Sequence, residues 1–398
     1  MQEVISAEGL ADECEWWAGR SWSLYLDQGR KERGRLAFDA YKEAGHLSEG
    51  DGPGQVQWVQ DEEEAKRMSR VPEAVGGATF EAGSLYPLKF VHAILRICIE
   101  RHGLELYTHT PVTSISRSQP GAAQRWKVAT NRGDFQTDKL LLATNGYSSV
   151  LLPSLHDFLT PHRAQCSSIV PAEAYGTQRL DRTYSIGRKE MADYEYLTQR
   201  PDRAGGYFIL GGGHVVADKE TQIGTWDDSQ VLPAISDHLS GYCSRTFDGW
   251  TEQAQKLGDG EVTRAGPDDT RQGQMEMVWT GIQGYSRDSV PTVGEVPESL
   301  LPASSQCASA SKEGVNTNGT GLYICGSHHG HGMARAATCS RGIAREMLLR
   351  RRSTKQPQQT TLLGKSEESW ARLTGLPSVF RWTESRAARR DVDCRQDF

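Results

Sequence analysis

Three histidines and three glycines crowd into the first seven residues of the stretch GSHHGHGMARAA, Gly326 to Ala337. Such a cluster suits three chemistries: holding a metal, holding an anion, or letting a flat ligand reach the main chain. For a metal, His328, His329 and His331 would be the ligands. Adjacent side chains in an extended loop diverge, and a catalytic zinc site draws on three well-placed ligands, often two at i and i+4 of one helix. The chain has no His-Glu-x-x-His and no Cys-x-x-Cys, so no metal is expected. The flanks favour an anion or a flat ligand. LYICG before the cluster reads as a short buried strand, and MARAATCSRGIAREMLLRR after it reads as a helix. The amides of a first helical turn lack intrahelical partners, and the helix dipole adds roughly half a positive charge there. Gly326, Gly330 and Gly332 would let a large ligand approach the backbone, while Ala334, Ala336 and Ala337 keep the helix thin. A plain strand–helix connection with its histidines in solvent fits the same residues.

Those residues need a frame, and 398 residues allow two domains or one large discontinuous one. A net charge of −6 argues against a nucleic-acid partner, which calls for basic patches. The run Arg341, Arg345, Arg350, Arg351 and Arg352 follows a helix, where it complements the dipole. No window reaches the ~18 apolar residues of a membrane span, and the acidic start MQEVISAEGLADECEWW is no secretory signal. The end, DVDCRQDF, matches neither a peroxisomal address nor a prenylation box. Eight scattered cysteines suit a reducing compartment, so a cytoplasmic location is expected.

Along the chain, the first seventy residues read as mostly helical, with a Gly/Pro break at EGDGPGQ. VGGATFEAG reads as a glycine-rich loop running into an apolar helix with Pro87 in its first turn. In that helix Phe90, Val91, Ile94, Leu95, Cys98 and Ile99 fall at helical spacing, and Gly103 closes it. Short strands follow, and from about 160 to 280 isolated strands separated by polar turns suggest an antiparallel sheet. The segment LPASSQCASASKEGVNTNGTG reads as a surface loop with a turn at Asn318-Gly319.

Three segments, in order, carry a family resemblance. GLYICGSHHGHGMARAATCSRGIAREML is similar to the carboxy-terminal flavin motif of FAD-dependent oxidoreductases of the D-amino-acid oxidase (DAO) type. LLLATNGYSSVLLPSL resembles the strand end where such chains leave the cofactor domain, and GIQGYSRDSVPTVGEVP resembles the return to it. GGATFEAGSLYPLKFVHAIL and HTPVTSI fit the positions between, and the LPSVFRWTESR tail resembles fungal-type members. The resemblance implies an α/β (α+β) fold: a discontinuous, Rossmann-like FAD-binding domain with an inserted antiparallel-sheet substrate domain. The implied boundaries are a helical segment at 1–75, FAD-binding parts at 76–150 and 279–350, the substrate domain at 151–278 and a tail at 351–398.

The same resemblance implies oxidation of the C–N bond of a small amine or amino acid by hydride transfer to flavin. Ala143, Thr144, Asn145 and Gly146 would line the cofactor at a strand end, Gly281 at the return, and the backbone of Val112 at the adenine side. Gly326, Gly330, His331, Gly332, Met333 and Ala334 would hold the ring, with the amides around Gly332 to Ala334 stabilising charge on reduced flavin. His328, His329 and Tyr285 are the catalytic candidates. No cysteine lies between Cys243 and Cys307, so non-covalent FAD is expected. No substrate carboxylate clamp is readable: Arg163, Arg182, Arg188 and Arg203 are equal candidates. Arg287 and Asp288 read as a structural pair.

Family members also carry a strand, a Gly-x-Gly-x-x-Gly turn and a helix that hold the FAD pyrophosphate. The glycine run ILGGGH, Ile209 to His214, has Val216 in place of a third glycine, and the polar VVADKETQIG follows it. It reads as a tight strand turn. The expectation is therefore an incomplete, truncated FAD-binding domain with exposed apolar edges and little stability alone. The alternative function is a non-catalytic remnant that does not hold FAD.

Overall fold

In WAGRSWSLY, Trp22 and Leu24 are fully buried and their neighbours Ser21, Ser23 and Tyr25 are half-buried, the period-two pattern of a strand with one covered face. A computed structural model describes residues 1–52, 54–119, 122, 124–250, 272–301, 319–353 and 367–391. It places this strand, β1 (Trp17–Tyr25), within a nine-stranded mixed sheet. The other members are β2 (Ser48–Glu49), β3 (Gln55–Val59), β4 (Gly76–Ser84), β9 (Leu159–Ile169), β10 (Arg182–Gly187), β11 (Tyr194–Gln199), β12 (Phe208–Gly212) and β13 (Met275–Ser286). Their order is β13-β9-β12-β11-β10-β1-β4-β3-β2. The expected antiparallel block at 160–280 is there, from β13 to β10. A parallel pairing of β10 with β1 joins it to strands from the first 84 residues.

The helical reading of the first seventy residues holds for the Gln28–Glu43 and Glu62–Ser69 helices, each capped by an aspartate side chain, and fails at β1 and β3. It fails again at VGGATFEAG, which is strand rather than loop. A Cβ on Gly77 would come within 2.4 Å of the Ser23 carbonyl oxygen, so the glycine permits close pairing with β1. The Pro87–His102 helix is present, with Gly103 left-handed at φ 67°. Its buried residues are Ala93 and Ile97, packed on Ile5, Leu10 and Cys14, whereas Val91 and Ile99 are exposed.

Two three-stranded sheets complete the frame. β5 (Val112–Arg117), β6 (Trp126–Thr130) and β7 (Gly133–Thr137) form an antiparallel meander. β8 (Leu140–Leu142) pairs in parallel with β15 (Leu322–Gly326), which pairs antiparallel with β14 (Thr292–Glu295). This second sheet is discontinuous in sequence, since β9 to β13 intervene between β8 and β14. Among the described residues β8 has a strand neighbour on one edge only, and Leu140 and Leu141 stay half-buried. The surface-loop reading falls largely on 302–318, outside the described residues.

One face of the nine-stranded sheet carries the main core: Trp22, Leu24, Tyr184, Ile186, Leu197, Phe208 and Leu210, covered by the helices around Ile235, Tyr242 and Phe247. The register therefore turns the alternate residues to the opposite face.

Candidate functional site

Three distant segments meet through their glycines near the end of β13. Asn145 stands at φ 45° just after β8, and its Oδ1 accepts from the Ser327 amide at 2.9 Å. A Cβ on Gly284 of β13 would lie 2.7 Å from that same oxygen and 2.9 Å from the Gly146 amide nitrogen. A Cβ on Gly146 would lie 2.9 Å from the Gln283 carbonyl oxygen, and one on Gly326 3.2 Å from Asn145 Cα. Side chains are excluded at these points, so three backbones touch. At Gly281, by contrast, a Cβ would meet nothing within 4 Å. That position opens to space.

Beyond β15 the chain makes a tight loop. Ser327, His329 and Gly330 all have positive φ, at 57°, 52° and 69°, two of them without glycine's freedom. The His329 amide donates to the Gly284 carbonyl at 3.0 Å, and His331 Nδ1 donates to the His329 carbonyl at 2.6 Å. Because a carbonyl only accepts, the His331 proton must sit on Nδ1. The loop delivers the chain to the amino terminus of the Gly332–Ser353 helix, whose first turn carries no acidic residue. Ser327 Oγ and His328 Nδ1 are buried there without a hydrogen-bond partner among the described residues.

Tyr285 is the hub. Its ring stacks on His162 of β9 (centroids 4.1 Å apart, 16° between planes) and lies 4.4 Å from the His329 ring. Its hydroxyl donates to Gln283 Oε1 at 3.0 Å, and a Cβ on Gly330 would meet it at 2.9 Å. Burial pushes the Tyr285 hydroxyl far above its ordinary value, with the neighbouring Tyr194 adding to the effect. Burial also lowers His329 to about 4, helped by the charges of His331 and Arg335, and lowers His328 for the same leading reason. The two imidazoles are neutral at neutral pH. A hydrogen bond of 3.2 Å between Tyr196 and Cys166 lies farther along the same face.

Of the residues singled out in the sequence, Asn145, Gly146, Gly326, His329, Gly330 and Tyr285 come together. Gly281 lies on the same strand as Tyr285. His331, Met333 and Ala334 are exposed at the loop and first turn, as are Ala143 and Thr144 at the end of β8. Val112 is exposed at the start of β5. Among the described residues no three His, Cys, Asp or Glu side chains converge as a metal site would require. Arg287 and Asp288 are structural, as expected, but not as a pair. Arg287 donates to the Arg389 carbonyl at 2.7 Å, and Asp288 takes two bonds from Arg386 in the tail at 2.6 and 2.8 Å. Sequence reasoning missed His162, Gln283, Tyr194 and Tyr196. Only the register of β9, β11 and β13 reveals that they share a face with Tyr285.

The paired glycine contacts, the orphaned Ser327 and His328 atoms and the open ground at Gly281 fit the edge of a flat, polar ring system approaching backbone. The chain also resembles known proteins. Residues 5–346 match the family model DAO, FAD dependent oxidoreductase. The chain is 24% identical over 247 residues to the tRNA 5-methylaminomethyl-2-thiouridine biosynthesis bifunctional protein MnmC of Shewanella amazonensis, covering 62% of this chain and 31% of that protein. It thus spans about a third of the length of that relative. In structure it resembles glycine oxidase from Geobacillus kaustophilus (TM-score 0.56, 17% identity, 83% of this chain and 72% of that one). It also resembles L-amino acid deaminase from Proteus vulgaris (TM-score 0.56, 15% identity, 87% and 78%).

Proposed function

Since the chain belongs to the DAO family of FAD-dependent oxidoreductases, we propose that it oxidises the C–N bond of an amine or amino acid at the Tyr285–His329 site. The observation that carries this reading is the convergence of Asn145-Gly146, Gln283-Gly284 and Gly326–Gly330 into a junction of bare backbone on β13, with Gly281 open on the Tyr285 side of that strand. The Asn145 turn, Gly281 and the Gly326–Ala334 loop would hold the FAD ring, which supplies a two-electron acceptor for the substrate hydride. The loop amides and the helix amino terminus favour negative charge at the ring edge nearest them. Val112 would serve the adenine side. No described element presents a glycine fingerprint for the pyrophosphate, so the fit lies in the ring end.

The other side chains act on substrate. Neutral His329 and His328 add no positive charge, so they do not repel an incoming ammonium. Tyr285, held between His162 and His329, keeps its proton over the working pH range and gives it to Gln283, which leaves the hydroxyl oxygen to accept a hydrogen bond from substrate.

The test is spectroscopic. The purified protein, with and without added FAD, should show a flavin spectrum displaced from that of free FAD. Anaerobic addition of members of an amine and amino-acid panel should bleach it. A folded protein that takes up no FAD would return the chain to the non-catalytic alternative.

A further inference from the structure

Just past Tyr285 the chain turns from β13 into β14, and this turn is gripped from the carboxy-terminal tail. The tail is tied to β14, where the Trp382 amide donates to the Val293 carbonyl at 2.9 Å, and the Trp382 ring packs on Phe158 with centroids 4.7 Å apart. The short Glu384–Ala388 helix that follows is capped by Thr383 and carries Arg386. Arg386 Nε and Nη2 donate to the two carboxylate oxygens of Asp288 at 2.6 and 2.8 Å. Nη2 also reaches the Val290 carbonyl at 2.8 Å, and Nη1 those of Pro291 (2.9 Å) and Phe380 (3.0 Å). Every guanidinium proton is thereby used, and the two side chains of the ion pair are only 7% and 8% exposed.

His329 lies on the other side of the same turn. Ser286 Oγ donates to the Val290 carbonyl at 2.8 Å, and Arg335 Nη1 bonds the Ser289 and His328 carbonyls at 3.3 and 3.4 Å. The turn is thus tied to itself and to the histidine loop, and His329 is hydrogen-bonded to the Ser286 backbone. The charged and titratable groups facing the His329 ring are His331 and Arg335 from its own loop and helix, Asp288 from the turn and Tyr285 from β13. Of these groups Asp288 is the anion, and Arg386 covers it.

Resting on the function proposed above, we propose that Arg386 is a positioning residue of the site: from the tail it locks the 286–291 turn against His329 and matches the Asp288 charge, so that the histidine faces no bare carboxylate. A paired carboxylate presents a weak field, whereas an unpaired one in the same place would draw a proton onto the ring. The tail thereby acts on the site through one turn of chain, without touching substrate.

The proton state of His329 is read from the carbon-13 titration of histidine-labelled protein, its signal identified by loss in His329→Asn. The wild-type midpoint should lie at about 4. Arg386→Gln leaves Asp288 bare and should move the midpoint up by roughly one pH unit. Adding Asp288→Asn to the same chain should bring it back toward wild type, since neither charge remains. Asp288→Asn alone should hold the midpoint at or below wild type, because the Arg386 charge is then unmatched. A turn that had merely loosened would admit water and raise the midpoint in every one of these variants. Such a uniform rise, or no change in Arg386→Gln, would overturn the proposal, and the Asp288→Asn arm decides it even where Arg386→Gln does not fold. The flavin spectrum is recorded separately: absence of flavin, or of bleaching by amines, counts against the parent reading, whereas the titration tests Arg386 with or without cofactor.

Discussion

Gly281 and Gly284 lie three residues apart on β13, yet a methyl group should have opposite consequences at each. At Gly284 the added carbon would sit 2.7 Å from Asn145 Oδ1 and 2.9 Å from the Gly146 nitrogen. Neither can yield cheaply, because Asn145 is held by the Ser327 amide and Gly146 is itself against the Gln283 carbonyl. Relief would require breaking the Asn145 hydrogen bond, about 1 kcal/mol, and moving packed backbone, about 1–3 kcal/mol. Gly284→Ala should therefore lower the unfolding free energy by about 2–4 kcal/mol. Gly281→Ala meets nothing within 4 Å and should leave stability within about 0.5 kcal/mol. It should instead weaken FAD or substrate binding, since the methyl would occupy the open floor. Urea unfolding followed by tryptophan fluorescence gives the first pair of numbers, and FAD titration the second. If the two variants unfold at the same urea concentration, the three-backbone junction is not the tight contact described.

Other perturbations follow from the same contacts. His329 sits at about 4 in the fold and near 6.5 when unfolded. Its contribution to stability is present above 6.5 and is lost as pH falls toward 4, by up to roughly 3 kcal/mol. Urea midpoints of His329→Asn should decline less than wild type between pH 6.5 and 4, and parallel curves would refute the assignment. Glu195 is 1% exposed and bonded to Arg188 (2.5 Å) and His238 (2.7 Å). Burial opposes its ionisation, but His238 and Arg188 outweigh burial and hold the carboxyl below its ordinary range. Glu195→Gln should cost about 1–3 kcal/mol by weakening the hydrogen bonds that the buried carboxylate accepts from Arg188 and His238; an unchanged urea midpoint would contradict this. Arg386 clamps Asp288, Val290 and Pro291 just beyond β13. Arg386→Gln should therefore loosen the return segment, read as faster amide hydrogen exchange at 286–292 with the Gln28–Glu43 helix unaffected.

How much of this was legible in the chain depended on range. Helices announced themselves: Asp27 and Asp61 cap two of them, and Pro87 and Gly103 bracket a third. The strand–loop–helix around Gly326–Gly332 was readable because its signals lie within seven residues. β1 and β4 were not, since WAGRSWSLY and GGATFEAGS hold no β-branched residue but Thr79 and pair with each other across fifty residues of chain. Their glycines, which read as loop, serve close pairing at Gly77.

The same limit explains why the site was half seen. Tyr285 and His329 were picked out because each stands in a motif. His162 and Tyr194 reach Tyr285 only through strand pairings that no local pattern encodes. Gly187 shows the same limit: a Cβ there would lie 2.7 Å from Arg30 Nε, so a side chain missing from a strand makes room for one carried in by a helix, a contact between segments more than 150 residues apart that no local pattern encodes.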